Sequence, residues 1–161
     1  MVSIMNEALN LRVGLKVLEI GAGSGWHAST IAEIVAPSGI SKDKWGHVYT
    51  IEIIPSLAEF ARRNVANAGY ADRVTVICGD GSLGYPPEAP YDRVLVTAAA
   101  PYVPPALKEQ LKPGGIMVIP VGAVGFYQKL LRITKVNDET VEEDLGGVAF
   151  VPLVGKYGHR I

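Results

Sequence analysis

Apolar residues gather along the chain into short runs separated by more polar stretches. LKVLEIG (15–21), GHVYTIE (46–52), RVTVICGD (73–80), YDRVLVTAAA (91–100) and IMVIPVG (116–122) read as strands. Four of them are almost continuously apolar, as strands covered on both faces are. STIAEIV (29–35), PSLAEFARRNVANAGY (55–70) and PPALKEQLKPGG (104–115) read as helices, the second with Pro55 near its start and the third stopped by Pro113 and Gly114. Strand alternating with helix predicts a parallel α/β sheet with right-handed crossovers. Beyond residue 125 the helical segments cease. FYQKLLRITKV and TVEEDLGGVAFVPLVG hold strand-like runs that predict a closing antiparallel pair at the sheet edge. The expectation is a doubly wound, mostly parallel seven-stranded sheet with an antiparallel edge strand, formed by a single domain over 1–161.

At the start, Met1, Ile4, Met5, Ala8 and Leu9 follow a helical spacing, with no residue ahead of them to cap the first amides. Either the first turn frays or the chain has been cut from a longer one; the second is the expectation. The segment PSGISKDKWGH (37–47) is longer than a short helix-to-strand loop needs to be, and its Trp45 is expected to pack locally.

The chemistry concentrates in VLEIGAGSGW (17–26). Three glycines at alternate positions, Gly21, Gly23 and Gly25, follow a strand and open a helix. Such a turn lets backbone N–H groups meet a ligand with no Cβ in the way. It sits at the carboxyl end of a strand, where open parallel sheets bind ligands. A dinucleotide G-x-G-x-x-G fails, because the sixth position is Trp26, and a Walker loop fails for want of its lysine. Glu19 precedes the first glycine by two positions, a placement a cationic ligand tolerates. Two more acids close the next strands. Glu52 ends the second, where a carboxylate can accept both hydroxyls of a ribose. Asp80 ends the third, in CGDGS, where it can accept from an adenine amino group.

The remaining composition narrows the field. The 161 residues carry a formal net charge of −1, with Lys and Arg dispersed, which argues against a polyanion partner such as nucleic acid. Residues are 48% hydrophobic and 19% charged, enough for a substantial core. No apolar run reaches the ~18 residues of a membrane span, no signal peptide is visible, and the lone Cys78 permits no internal disulfide. A cytoplasmic protein, read as a monomer, is the expectation. His27, His47 and His159 are too dispersed in sequence to suggest a metal site.

The stretches VLEIGAGSGW, VYTIE, ARRNVANAGY, GDGSLGYPPEAPYDRVLVTAAAP, LKPGGIMVIPVG and FVPLVG together resemble the protein-L-isoaspartate O-methyltransferase family. G-x-G-x-G behind an acid is shared with S-adenosylmethionine (SAM)-dependent methyltransferases at large; GDGS followed by a Gly-Tyr-Pro-rich bridge and VTAAAP is more specific. The resemblance implies the Rossmann-like methyltransferase fold and SAM as cofactor. It implies methyl transfer to the carboxylate of L-isoaspartyl residues in damaged peptides and proteins, a repair reaction. It further implies that Gly21, Gly23 and Gly25 line the methionine moiety, with Glu19, Ala22 and Ser24 also among the cofactor-binding residues. Glu52 would meet the ribose, Asp80 and Gly81 the adenine, and Thr97 the region of the methyl group, with Ile53 also binding the cofactor. Ala98, Ala99 and Ala100, with Val151, Pro152, Leu153 and Val154, would shape the peptide site. Trp26, where the family often has Tyr, would pack on the glycine loop. The family's active-site hydroxyl belongs to a segment ahead of Met1, so no catalytic residue is assigned within the chain. Three other readings stay open: a methyltransferase with a different acceptor, a cofactor-binding remnant without turnover, and, more distantly, a nicotinamide dehydrogenase.

Overall fold

The computed structural model describes residues 1–123 and 125–160; of the proposed domain 1–161, Val124 and Ile161 lie outside the described residues. Its elements run α1 (Val2–Ala8), β1 (Lys16–Ile20), α2 (Trp26–Val35), β2 (His47–Glu52), α3 (Pro55–Asn67), β3 (Val74–Cys78), β4 (Tyr91–Val96), α4 (Pro105–Glu109), β5 (Leu111–Val121), β6 (Gln128–Val136) and β7 (Glu139–Val148). The strands form one sheet in the order β3-β2-β1-β4-β5-β6-β7. β1 to β5 pair in parallel, β6 runs against β5, and β7 pairs antiparallel with β6 to close the edge. The order reverses at β1, so the carboxyl ends of β1, β2 and β4 bound a crevice.

Side chains leave the central strands alternately toward two cores. Val17, Val48, Leu95 and Val118 face one side, with Ile31, Ala32 and Val35 of α2. Leu18, Ile51, Val94, Met117 and Ile119 face the other, with Leu107 of α4. This double cover explains the unbroken apolar runs. β3 lies at the other edge and is only partly covered, which leaves Cys78 exposed.

All three helices read from the sequence differ in extent, and α3 ends at Asn67 rather than Tyr70. α2 begins at Trp26 rather than Ser29, because Gly25 stands in the left-handed region at φ 84° and ends the turn abruptly. A Cβ there would lie 3.0 Å from the Ala61 carbonyl oxygen, so α3 packs where a side chain would be. α4 spans only five residues, not 104–115. Leu111 already pairs with Tyr91, and the Lys112–Gly115 stretch lies within β5, with Gly114 at φ 81°. The Gln110 side chain stitches this corner, its oxygen accepting from the Tyr85 N–H and its amide donating to the Leu83 carbonyl.

In α1, Met5 and Ala8 are buried while Met1 and Ile4 are exposed. Arg93 of β4 ties the end of α1 to the sheet: its Nε donates to the Leu9 carbonyl at 2.5 Å and its Nη2 to the Asn10 carbonyl at 3.1 Å. Trp45 packs locally, with its indole N–H donating to the Pro37 carbonyl and the Arg73 guanidinium 4.6 Å from the ring centroid.

Candidate functional site

The crevice holds a cavity of about 430 Å³. It is lined from β1 and the glycine turn by Ile20, Gly21 and Gly23, from β2 and the start of α3 by Ile51 to Ile54 and Leu57, and beyond these by Gly81, Thr97 and Ala98. Val151 to Val154 close it. Segments more than a hundred residues apart in sequence thus share one cleft.

Glu52 is a firmly held polar group in the lining. It is nearly buried, and its Oε1 accepts from the Gly23 N–H at 3.0 Å while Oε2 accepts from the Ile54 N–H at 3.2 Å. Each oxygen keeps a lone-pair position free, so the carboxylate is preset to receive two further donors. A Cβ at Gly23 would meet nothing within 4 Å, so the turn leaves open space beside it. Two neighbouring hydroxyls could donate to the acid's free lone-pair positions.

Thr97 fastens the turn to β4: its N–H donates to the Ile20 carbonyl at 3.0 Å, and its hydroxyl is shared between the carbonyls of Ile20 and Gly21 at 3.1 and 2.9 Å. Ala98 faces the cavity. Ala99 and Ala100 do not; they are buried in bridges to Pro152 and Val121. Gly25 and Ser24 also face elsewhere, into a groove between α2 and α3, and Ala22 is buried behind the turn. Asp80 lies outside the lining although its neighbour Gly81 is in it. Its Oδ1 accepts from the N–H and the hydroxyl of Ser82, and its Oδ2 from the Lys156 N–H at 2.9 Å. Trp26 does not pack on the loop: it is 68% exposed at the start of α2.

Glu19 does not face the cavity either. It is fully buried, accepts from the Thr50 hydroxyl at 2.5 Å, and its other oxygen finds no hydrogen-bond partner among the described residues. Burial pushes its pKa up to about 8, against the Thr50 hydrogen bond and with help from the Glu52 charge. His27 Nδ1 lies 4.0 Å away, and burial, with the chain's amino terminus, lowers its pKa to about 4. Both groups are therefore neutral near pH 7, and the contact is not an ion pair. His27 Nε2 lies 2.8 Å from Asn6 Oδ1, which joins α1 to α2.

Ile20, Ile51, Ile54 and Leu57 were not singled out in the sequence, nor was Ser82. The aliphatic four follow from position, since residues flanking the ends of β1 and β2 must line whatever the crevice holds. Ser82 carried no such signal, because Tyr157, whose N–H its hydroxyl accepts from, lies 75 residues away.

The profile of the protein-L-isoaspartate(D-aspartate) O-methyltransferase family matches residues 1–158. The chain belongs to the protein-L-isoaspartate O-methyltransferase family. A family protein of Hyperthermus butylicus is 60% identical over 161 residues, an alignment covering 99% of this chain and 66% of that protein. The chain thus spans about two thirds of the length of that curated relative. A solved protein-L-isoaspartate O-methyltransferase superposes with a TM-score of 0.87 at 30% identity, covering 98% of this chain and 47% of the other. A SAM-dependent methyltransferase of Geobacter sulfurreducens, in complex with S-adenosyl-L-homocysteine, gives 0.59 at 28% identity, covering 74% and 46%. The family resemblance read from the motifs and the Rossmann-like methyltransferase sheet are both borne out.

Proposed function

We propose that this chain binds SAM in the crevice and transfers its methyl group to the side-chain carboxylate of L-isoaspartyl residues in damaged peptides and proteins. The observation that carries the reading is Glu52, whose carboxylate is held by two backbone N–H groups at a cavity bounded by both the glycine turn and Val151–Val154. Glu52 would accept the ribose hydroxyls. Gly21 and Gly23 would give the methionine tail its room, and Ile53, Ile54 and Leu57 would supply apolar contact. Bound there, SAM supplies a methyl group activated by its positive sulfur. The acceptor carboxylate is already an anion, so no side chain need remove a proton. The work left to the protein is orientation, and holding reactants in line is worth up to ~7–11 kcal/mol in favourable intramolecular systems. His27 fits this division: it is largely buried, held neutral and turned away from the cavity.

The described residues make one sheet with a core on each face, which supports 1–161 as one domain. No helix among the described residues is long and apolar enough to cross a membrane. A monomer in the cytoplasm, with isoaspartyl peptides as partners, completes the reading. The test is transfer of labelled methyl from SAM to an isoaspartyl peptide, its aspartyl counterpart and a panel of non-carboxylate acceptors. Base-labile label on the isoaspartyl peptide alone is expected; transfer only to another acceptor would replace this reading with a methyltransferase of different substrate.

A further inference from the structure

After β7 the chain runs back over the crevice as a strap. One end is fastened by the Ala99 backbone, whose N–H donates to the Val151 carbonyl at 2.7 Å and whose carbonyl accepts from the Leu153 N–H at 2.8 Å. The other end is fastened by side chains: the Lys156 N–H donates to Asp80 Oδ2 at 2.9 Å, and the Tyr157 N–H donates to Ser82 Oγ at 3.1 Å. Between the two ends, Pro152 to Val154 form the outer wall of the cavity.

Ser82 is fully buried and makes full use of its hydroxyl, donating to Asp80 Oδ1 at 2.6 Å while accepting from Tyr157. Gly155 shows how close the approach is. A Cβ there would stand 2.0 Å from Asp80 Oδ1 and 2.7 Å from Ser82 Oγ, and its φ of 146° is one that side chains rarely adopt. Glycine at this position is what lets the backbone reach the Asp80–Ser82 pair.

We infer that Ser82, with Asp80, is a positioning residue for acceptor binding: the pair clasps the strap so that Pro152–Val154 stand as the wall against which the isoaspartyl peptide docks. The inference deepens the reading of the crevice as a SAM and isoaspartyl site and rests on it. Asp80 is also the acid that the resemblance assigns to the adenine, although it lies outside the cavity lining with both oxygens engaged by Ser82 and Lys156. Ser82 has no such second duty, and it separates the two roles.

Three quantities test this on the full chain: the affinity for S-adenosylhomocysteine, the affinity of the S-adenosylhomocysteine-loaded protein for an isoaspartyl peptide, and amide exchange at Lys156 and Tyr157. Ser82→Ala removes the acceptor of the Tyr157 N–H. The expected result is about tenfold weaker peptide binding, the scale of one lost hydrogen bond. S-adenosylhomocysteine affinity should stay within about twofold, with faster exchange confined to residues 155–158. Gly155→Ala, whose Cβ presses on Asp80 Oδ1 and Ser82 Oγ and so forces the strap off the clasp while the serine itself is kept, should weaken peptide binding in the same way and stands in if Ser82→Ala does not fold. Equal losses of both affinities, or unchanged peptide binding in both variants, would overturn the inference alone. A wild-type protein that binds S-adenosylhomocysteine but no isoaspartyl peptide would overturn it too, and one that binds neither would remove the functional reading beneath it.

Discussion

Replacing Glu19 by Gln keeps the size of a fully buried side chain and removes its titration. The carboxyl has a folded value of about 8 against an ordinary 4.5. Below pH 4.5 it is protonated both folded and unfolded, and its burial then costs no ionisation. As pH rises toward 8 the unfolded chain releases the proton and the folded chain keeps it, so stability drains away across that window. Linkage over a gap of this size gives a loss of about 3 kcal/mol between pH 5 and pH 8. His27 works in the opposite sense: its folded value of about 4 means stability present above pH 6.5 and lost as pH falls toward 4. That slope is common to the wild type and the variant and cancels in their difference. The assay is urea unfolding of both proteins at pH 5, 6, 7 and 8. Relative to the wild type, Glu19→Gln is expected to gain about 3 kcal/mol across the series, gaining most at alkaline pH. A difference that stays constant with pH, or that favours the wild type as pH rises, would refute the protonated buried carboxyl.

Other outcomes follow from single contacts. Arg93→Ala strips the Leu9 and Asn10 carbonyls of their buried donors and should cost about 2–4 kcal/mol in denaturant unfolding. Thr50→Val removes the one hydrogen bond to Glu19 and should cost about 1–2 kcal/mol in the same assay. Trp26→Ala should move stability by no more than about 0.5 kcal/mol, because the side chain is exposed and holds nothing in place; a larger loss would mean that it packs on the glycine turn after all.

Much of this was legible in the primary structure, for physical reasons that can be named. Strands covered on both faces are mostly apolar, so Val94–Val96, and Val17–Ile20 apart from Glu19, announced a buried parallel sheet. Glu52 was legible because an acid that ends such a strand is pushed into the crevice. Glu19 was placed on the ligand side because an acid two residues before a glycine turn looks like part of it. Along a strand successive side chains alternate, and Glu19 leaves β1 on the same face as Val17, toward the core with α2 rather than the cavity. α4 was read too long because Lys108 to Leu111 carry good helix formers. Gly114, with positive φ, and the pairing of Leu111 with Tyr91 outweigh that local preference. The clasp at Ser82 lay beyond local pattern, since a serine declares its partner only when the chain brings residue 157 back to it.

The central claim is that Glu52, held by the Gly23 and Ile54 amides, receives the ribose of an adenosyl ligand. Calorimetric titration with S-adenosylhomocysteine of the wild type and of Glu52→Ala tests it most directly. Hydrogen bonds to a charged acceptor are worth about 1.5–3 kcal/mol, so the wild type is expected to bind and the variant to bind at least about tenfold more weakly while remaining folded. A folded wild type that takes up no ligand, or a variant that binds as tightly as its parent, would contradict it.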